Sequence, residues 1–585
     1  MDNRAAERMR ILENTIAKQR TEIIRLNSII TSLKSKLRKC TQSQQAKSKL
    51  TIAQRRILGG ESRVCWSEQD IVKALSIRTS GLKAYNNVKE LSHLPLPSVR
   101  TLNRRGSNFE CKPGILHEVL AAMKNHADKM DVLARICVIS FDEMSIDSRV
   151  IVDSTTGDLV SNSKVQVCMA RGLTSSWKQP VYYGFNTDMT LKLLNDVILA
   201  IEGIGLKVCA IVCDLGAENR SFLKHAGVTI DKPFLGNPTD PNRNIYFFAD
   251  VPHCIKNLRN HVIDDGVIFG VGKFNPEGTN VDVEVMRELV NNNGDGELKR
   301  VPYLTHSWLG VSDSERMRVR PAVQFFSHSI ACLAWECFPE KPAIGNFFEI
   351  INNGFDVLNS RKMYGETPSS CAFGINIDEQ LESLELFEDL VTNARFLTGK
   401  GNVRRVTLPC QTGLIMSIRS LRLLYEELQK TWNVRYILTS RVNQDCVENL
   451  FSRIRAFGGP NSHPNSIECK NRLKLLLLGS NVKAGRGSNV DTQESLHYLC
   501  SDLLQLSSPR TDKELDDANI QAEVVRSIES FSLARNCHFP FTTLKLIIQV
   551  IYVFMLFCRP QKRMIRFPIR PGSVLCTYRA ISLGR

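Results

Sequence analysis

The chain has 585 residues, room for three or four domains at about 150 residues each, and 43% of its residues are hydrophobic, enough for a sizeable core. Its formal net charge of +16 sits on the ends: residues 1–56 carry +10, residues 541–585 carry +8, and the body between them carries −2. Basic ends of this kind neutralise phosphates or hang as solvated tails. The 18 cysteines include no C-x-x-C pair, which excludes the usual zinc-finger spacings and reads as reduced thiols. The N-terminus begins charged and helical, unlike a signal peptide.

Residues 1–40 predict a coiled coil. Met9, Ile16, Ile23, Ile30 and Leu37 recur at the heptad interval, and Leu12, Gln19, Leu26 and Leu33 fill the second seam. Isoleucine at a and leucine at d favour two parallel helices, with the polar Gln19 fixing register. A lone amphipathic helix would not sustain that period, so a homodimer or higher homo-oligomer is expected. A basic linker follows over 41–65. Residues 66–130 predict a small helical module. Ser67 and Asp70 form an imperfect capping box, Gly81 marks a turn, and Ser98 caps a helix carrying Arg100, Arg104 and Arg105. Helix, turn and arginine-bearing helix is the outline of a helix-turn-helix DNA reader, although any helical hairpin shares it.

From 131 the pattern turns α/β. Ile136–Phe141 is an apolar strand running into Asp142, and strand-like runs follow around Val150, Val165 and Val181. Residues 191–203 are helical, Val208–Cys213 is a second apolar strand ending at Asp214, and Asn244–Phe248 precedes a helix from Pro252 to Val262. Residues 263–435 read as mainly helical. The alternation resumes at Val434–Leu438, before a helix over 443–456.

Asp142 and Asp214 each follow an apolar strand, where a rigid backbone opens to solvent. Neighbouring strands lie about 4.8 Å apart, so two such carboxylates can share a pair of metal ions. Asp445 and Glu448 share a helix face and supply a third acid, with Asp445 auxiliary. Hard cations, Mg²⁺ or Mn²⁺, prefer these oxygen donors. Taken singly, either aspartate is as readily an ordinary helix cap.

Six motifs resemble those of the P-element transposases and their relatives with THAP-type zinc fingers. They are Ser140-Phe141-Asp142-Glu143-Met144, Ala170-Arg171-Gly172-Leu173, Ser176-Trp177-Lys178-Gln179-Pro180-Val181, Val212-Cys213-Asp214-Leu215-Gly216, the run Pro252 to His261, and the run Ile437 to Asn449. The resemblance spans 66–480 with gaps. It implies a ribonuclease-H-like mixed α/β fold interrupted by a mainly helical GTP-binding insertion, and an acidic triad of Asp142, Asp214 and Glu448. It also implies that Val319, Ser327 and Asp356 line a guanine site, the aspartate accepting from the N1 and N2 donors of the base. Where the family carries a basic residue before that helix, this chain has Tyr303.

On this basis 131–262 and 436–480 are the two parts of the catalytic domain, 263–435 the insertion and 481–585 a C-terminal remnant. His253, Lys256, Arg259 and His261 read as a basic helix near DNA or as a solvated face, and Trp177 as a core aromatic. No ligand-spaced Cys and His precede residue 66, where the family has its zinc module. The apolar run Leu544–Cys558 is shorter than the ~20 residues that span a bilayer. It reads as translated sequence outside the ancestral frame ahead of a buried helix or an anchor, and no membrane association is expected. The functional expectation is a nuclear DNA transposase acting on transposon ends. The alternatives are a catalytically inactive DNA-binding, dimerising derivative (a repressor or domesticated regulator) and a GTP-binding protein without nuclease activity.

The heptad carries its own test. Ile23→Lys together with Ile30→Lys puts charge in the seam, and light scattering is expected to show a loss of dimers. An unchanged dimer overturns the coiled coil as the dimerising element.

Overall fold

The computed structural model describes residues 50–479, apart from 92–93, 108, 153–158, 272–276, 295–298, 310–311, 399–400 and 458–460. The predicted coiled coil, the start of the linker and the apolar and basic tail lie outside the described residues. Within the linker, Ile52–Leu58 is a short helix capped by Thr51.

Three helices follow: Glu68–Arg78, Leu82–Leu91 and Val99–Ser107. Ser67 and Asp70 cap the first reciprocally, the imperfect box of the sequence acting as a full one. Gly81 makes the turn at φ +111°, a conformation that a Cβ would strain. Ser98 accepts from the amide of Thr101 at 3.1 Å and starts the third helix. Buried Ile71, Leu75, Tyr85 and Leu102 form the module's core, and the Tyr85 hydroxyl donates to the Pro97 carbonyl at 2.7 Å. Helix Ser466–Leu478 packs back on this module, and Ser76 Oγ donates to the Gly479 carbonyl at 2.9 Å.

The central sheet has seven strands: β1 Gly114–Ile115, β2 Ile136–Ser145, β3 Lys164–Gly172, β4 Lys178–Phe185, β5 Lys207–Cys213, β6 Phe234–Asn237 and β7 Asp240–Ala249. Their order is β1-β4-β3-β2-β5-β7-β6. β2, β3 and β4 form an antiparallel meander, β5 and β7 run parallel to β2, and β6 closes the far edge antiparallel to β7. β1 comes from the stretch expected to be purely helical, and the strand around Val150 is only half of a two-stranded ribbon, Ile151–Val152 with Leu159–Val160. The near-continuous apolar runs of β2 and β5 are buried from end to end, as strands covered on both faces require.

Asp142 is not at a strand end. β2 continues to Ser145 because its antiparallel partner β3 extends that far, pairing Ser145 with Lys164. The parallel partner β5 stops earlier, with Ser140 opposite Val212. Val434–Leu438 is not a strand either. Helix Pro409–Trp432 ends on Asn433 in the left-handed region, and the extended segment beyond it finds one partner, a bridge between Ile437 and Phe373. A 3₁₀ turn, Thr439–Val442, follows.

The insertion leaves the sheet after helix Val251–Asp264 and is not wholly helical. Val267–Phe269 is the middle strand of a three-stranded sheet, between Thr279–Val281 and Arg395–Phe396. Its outgoing strand therefore lies beside its incoming one, with Val267 opposite Phe396. Helices His328–Cys337, Ala343–Leu358 and Ile377–Asn393 make up its body around Phe325, Phe326, Phe347 and Phe348. The long return helix Pro409–Trp432 seats on β7, where Ser420 Oγ donates to the Phe247 carbonyl at 2.6 Å. A Cβ at Gly413 would stand 2.8 Å from Ala249 Cβ on the strand itself, so this approach requires glycine. Among the described residues no helix is long and apolar enough to cross a membrane, and every cysteine is free.

At the far edge, buried Glu202 and Arg243 pair at 2.7 Å, and Asn237 Nδ2 donates to Glu202 Oε1 at 2.8 Å. Arg243→Ala strands a buried carboxylate and is expected to cost about 3 kcal/mol or more in denaturant unfolding. Replacing both partners by Leu and Met is expected to cost less, so a double-mutant cycle with strongly favourable coupling checks it.

Candidate active site

β2 and β5 run parallel, and their last facing pair is Ser140 with Val212. Asp142 and Asp214 each stand two residues further on, at the same rank beyond the parallel pairing. The Glu143 amide donates to Asp142 Oδ1 at 2.8 Å. Asp214 Oδ1 accepts from the Gly216 amide at 3.2 Å and from Asn219 Nδ2 at 2.5 Å. Both carboxylates are thereby oriented while half-exposed.

The third element arrives from the other end of the chain. The Asp250 amide donates to the Cys213 carbonyl at 3.0 Å, which ties the end of β7 to the end of β5. Asp250 also caps helix Val251–Asp264, accepting from the His253 amide at 3.2 Å. Its other oxygen accepts from the Gln444 amide at 2.9 Å. Gln444 Nε2 donates to the Phe141 carbonyl at 2.7 Å, and Ser140 Oγ donates to the Asn443 carbonyl at 3.3 Å. Helix Asp445–Phe457 starts at this anchored point and carries Glu448 in its first turn. Glu448 Oε1 meets His253 Nε2 at 3.3 Å.

The electrostatics tie the three acids together. Burial pushes the Asp142 carboxyl up to about 7, with repulsion from Asp214 and Glu448 adding to it and the Glu143 amide and His253 opposing it. Burial also raises Asp250 to about 6, against the pull of His253. For Glu448 burial pushes upward as well, but the hydrogen bond and charge of His253, with Lys256 and Arg455, outweigh it and hold the carboxyl below its usual range. Burial would lower the His253 imidazole, yet Glu448 and Asp250 hold it above its ordinary value.

The expected triad thus shares one electrostatic site without packing tightly. Among the described residues, the metal-ligating groups within 4.8 Å of one another are Asp250, His253 and Glu448, and separately Glu143, Asp188 and Glu218. The second group surrounds Lys164, whose Nζ lies 2.7 Å from Asp188 and 3.0 Å from Glu143. Asp445 pairs with Arg361 at 3.2 Å. Sequence reasoning missed Asp250, Asn219 and the contact of His253 with Glu448. The signal for Asp250 was available, since an aspartate two residues before a helix-opening proline is a capping position.

Two residues expected to face DNA are buried. Lys256 is 5% exposed and held low by burial while Glu448, Asp250 and Asp214 pull it up. Arg259 is 2% exposed and donates to the Glu315 and Arg316 carbonyls at 3.3 Å, holding the insertion. The helical periodicity gave their face but not the chain that covers it. Arg100 and Arg104 are exposed on helix Val99–Ser107 and Arg105 is half-buried. Trp177 is buried, its Nε1 donating to the Ala134 carbonyl at 2.9 Å.

In the insertion, Val319 opens a short helix, Ser327 stands at the N-cap of His328–Cys337, and Asp356 lies near the end of Ala343–Leu358. The Tyr303 hydroxyl lies 2.6 Å from Ser327 Oγ. Burial pushes Asp356 up to about 6, with Glu349 adding to it. The helix bearing Asp356 ends against the segment before Glu448. Thr439 Oγ1 donates to the Val357 carbonyl at 2.6 Å, and Asn443 Nδ2 donates to Asn359 Oδ1 at 3.3 Å.

Comparison with known proteins agrees with this architecture. Residues 111–227 match the family described as "TNP-like, RNase H N-terminal domain", and residues 252–371 match "TNP-like, GTP-binding insertion domain". The chain is 32% identical over 473 residues to the Transposable element P transposase of Drosophila melanogaster, covering 78% of this chain and 61% of that protein. It is 24% identical over 412 residues to DNA transposase THAP9 of Homo sapiens, covering 64% of this chain and 44% of that protein. The chain therefore spans less than two thirds of either curated relative. A solved chain of the Drosophila P element transposase strand transfer complex superposes with a TM-score of 0.68 at 30% identity, covering 76% of this chain and 99% of that one. The fold is a ribonuclease-H-like mixed sheet with an inserted domain, and the chain belongs to the P-element-type transposases.

Proposed function

We propose that this protein is a DNA transposase that cleaves and transfers DNA strands with Mg²⁺ or Mn²⁺ held by Asp142, Asp214 and Glu448, Asp445 being auxiliary. One observation carries the reading: hydrogen bonds to Asn443 and Gln444 set the first turn of the Glu448 helix against the strand of Asp142. The donor set fits hard divalent cations, being oxygen-rich and half-exposed. Burial raises Asp142, repulsion from Asp214 and Glu448 adds to it, and such cations would relieve that repulsion. A bound metal pair would activate the attacking water or 3′-hydroxyl and stabilise the leaving oxygen. The chain's own part is to orient the acids: the Glu143 amide on Asp142, Gly216 and Asn219 on Asp214, and His253 keeping Glu448 ionised.

The substrate in this reading is the DNA of transposon ends, met in the nucleus by the helix with Arg100, Arg104 and Arg105, in a homo-oligomer joined through residues 1–40. The relatives are named as transposases, and the solved one is a strand transfer complex. Lys256 and Arg259 act within the fold instead. The proposed partition is a dimerising helix (1–40), linker (41–65), helix-turn-helix-like module (66–130), catalytic domain (131–262 and 436–480), insertion (263–435) and remnant (481–585). GTP assists through Val319, Ser327 and Asp356. A second reading, an inactive DNA-binding derivative, draws on the engagement of Glu448 by His253.

Asp142→Asn separates the two, since it is expected to abolish strand cleavage and transfer on an oligonucleotide substrate while DNA binding persists. Activity retained in that variant sinks the enzyme reading of the triad. The variant also has a thermal signature. A carboxyl raised from 3.8 to about 7 by folding costs stability that grows as pH rises through that window and is constant above it. Metal-free Asp142→Asn should therefore melt higher than wild type at pH 8 and equally near pH 4, and should gain less from added Mg²⁺.

For the insertion, Asp356→Asn turns an acceptor into a donor facing the donors of guanine. Mispairing a buried polar group costs about 1–3 kcal/mol, so selectivity for GTP over ATP is expected to fall by about tenfold or more in calorimetry. If the wild type binds no GTP, the guanine site is wrong, and the Tyr303 hydroxyl against Ser327 is its first cause.

A further inference from the structure

His328 and Cys332 lie one turn apart on the same face of helix His328–Cys337. Cys332 Sγ stands 3.3 Å from His328 Nε2. His328 Nδ1 lies 2.7 Å from Glu349 Oε2, on the neighbouring helix Ala343–Leu358. Asn353 Nδ2 donates to the other Glu349 oxygen at 3.3 Å. In the tautomer that donates from Nδ1 to Glu349, the Nε2 lone pair faces the thiol. Nucleophile, base and a third group orienting the base are in hydrogen-bond sequence, the arrangement that activates a thiol.

We propose that Cys332 is a site of thiol–disulfide exchange with small disulfides, with His328 as its base and Glu349 orienting that base. In the exchange, the Cys332 sulfur attacks one sulfur of the disulfide, its proton passing to His328 Nε2. A new S–S bond forms at Cys332, the old one breaks, and the departing thiolate recovers the proton from His328. No net oxidant beyond the disulfide is consumed, and Glu349 stabilises the transient imidazolium. Burial, Glu349 and Glu336 hold the Cys332 thiol above its ordinary value, so the resting group is the thiol and its reaction depends on a base in reach. His328 is largely exposed and Cys332 half-buried, which leaves the sulfur open to a small disulfide. The modified helix is the one that Ser327 opens, so the insertion itself receives the adduct. The proposal is independent of the transposase reading.

The test follows mixed-disulfide formation at Cys332 by peptide mass spectrometry, with the full chain and glutathione disulfide. His328→Asn trims a side chain beside the sulfur and so widens access, yet it is expected to slow exchange by about a hundredfold, the low end for a positioned base. Glu349→Gln keeps the shape and is expected to slow it less. In urea, where the turn is lost, all three proteins should react alike. Exchange at the wild-type rate or faster in folded His328→Asn overturns the proposal, as does a difference that persists in urea.

Discussion

The architecture turns on the buried hydrogen bonds that fasten residues 439–444. That segment has no regular ladder of its own, so its polar groups must be met by other elements. Asp250 takes the Gln444 amide, the Phe141 carbonyl takes the Gln444 side chain, and Ser140 reaches the Asn443 carbonyl. Arg171 on β3 donates to the Ser440 carbonyl at 3.1 Å, while Arg441 donates back to the Leu173 carbonyl at 2.8 Å. These two arginines are crossed struts. Each such bond contributes only about 1 kcal/mol net, but an orphaned buried group costs more, so the set holds or fails together. Glu448 has its position because this segment does.

The same segment is where the insertion meets the acids. The helix carrying Asp356 ends on Thr439 and Asn443, and Arg361 just beyond it pairs with Asp445. A shift at the end of that helix reaches the first turn of the Glu448 helix through direct contacts rather than over a distance. The end of the Asp356 helix and the first turn of the Glu448 helix thus share one set of contacts.

Much of this was legible in the sequence because it is local. Ser67 and Gly81 announced the ends of helices, and the apolar runs before Asp142 and Asp214 announced buried strands. The matching ranks of those aspartates were legible too, but Asp142 proved to lie inside a strand, because the length of β3 is a property of a distant segment. Val434–Leu438 has the apolar, β-branched look of a strand but finds only the single bridge to Phe373, which composition does not reveal. Lys256 and Arg259 showed their helical face but not the insertion that buries it. Glu448 was singled out by helix spacing and family motifs, and its contact with His253 was not foreseen. A salt bridge between residues so far apart leaves no periodic trace.

The adjacency of the incoming and outgoing strands of the insertion has a consequence for synthesis on the ribosome. Val267 pairs with Phe396, so the sheet sees the insertion as a short connection, and the entropy of closing it is met by one small ladder. The contact between Ser140 and Asn443, however, spans 303 residues. Such a high contact order delays the final docking until almost all of the described chain has emerged. All seven strands of the sheet, by contrast, lie within residues 114–249. The acids therefore come together last, since Glu448 reaches the sheet only with the segment that Ser140 and Phe141 hold.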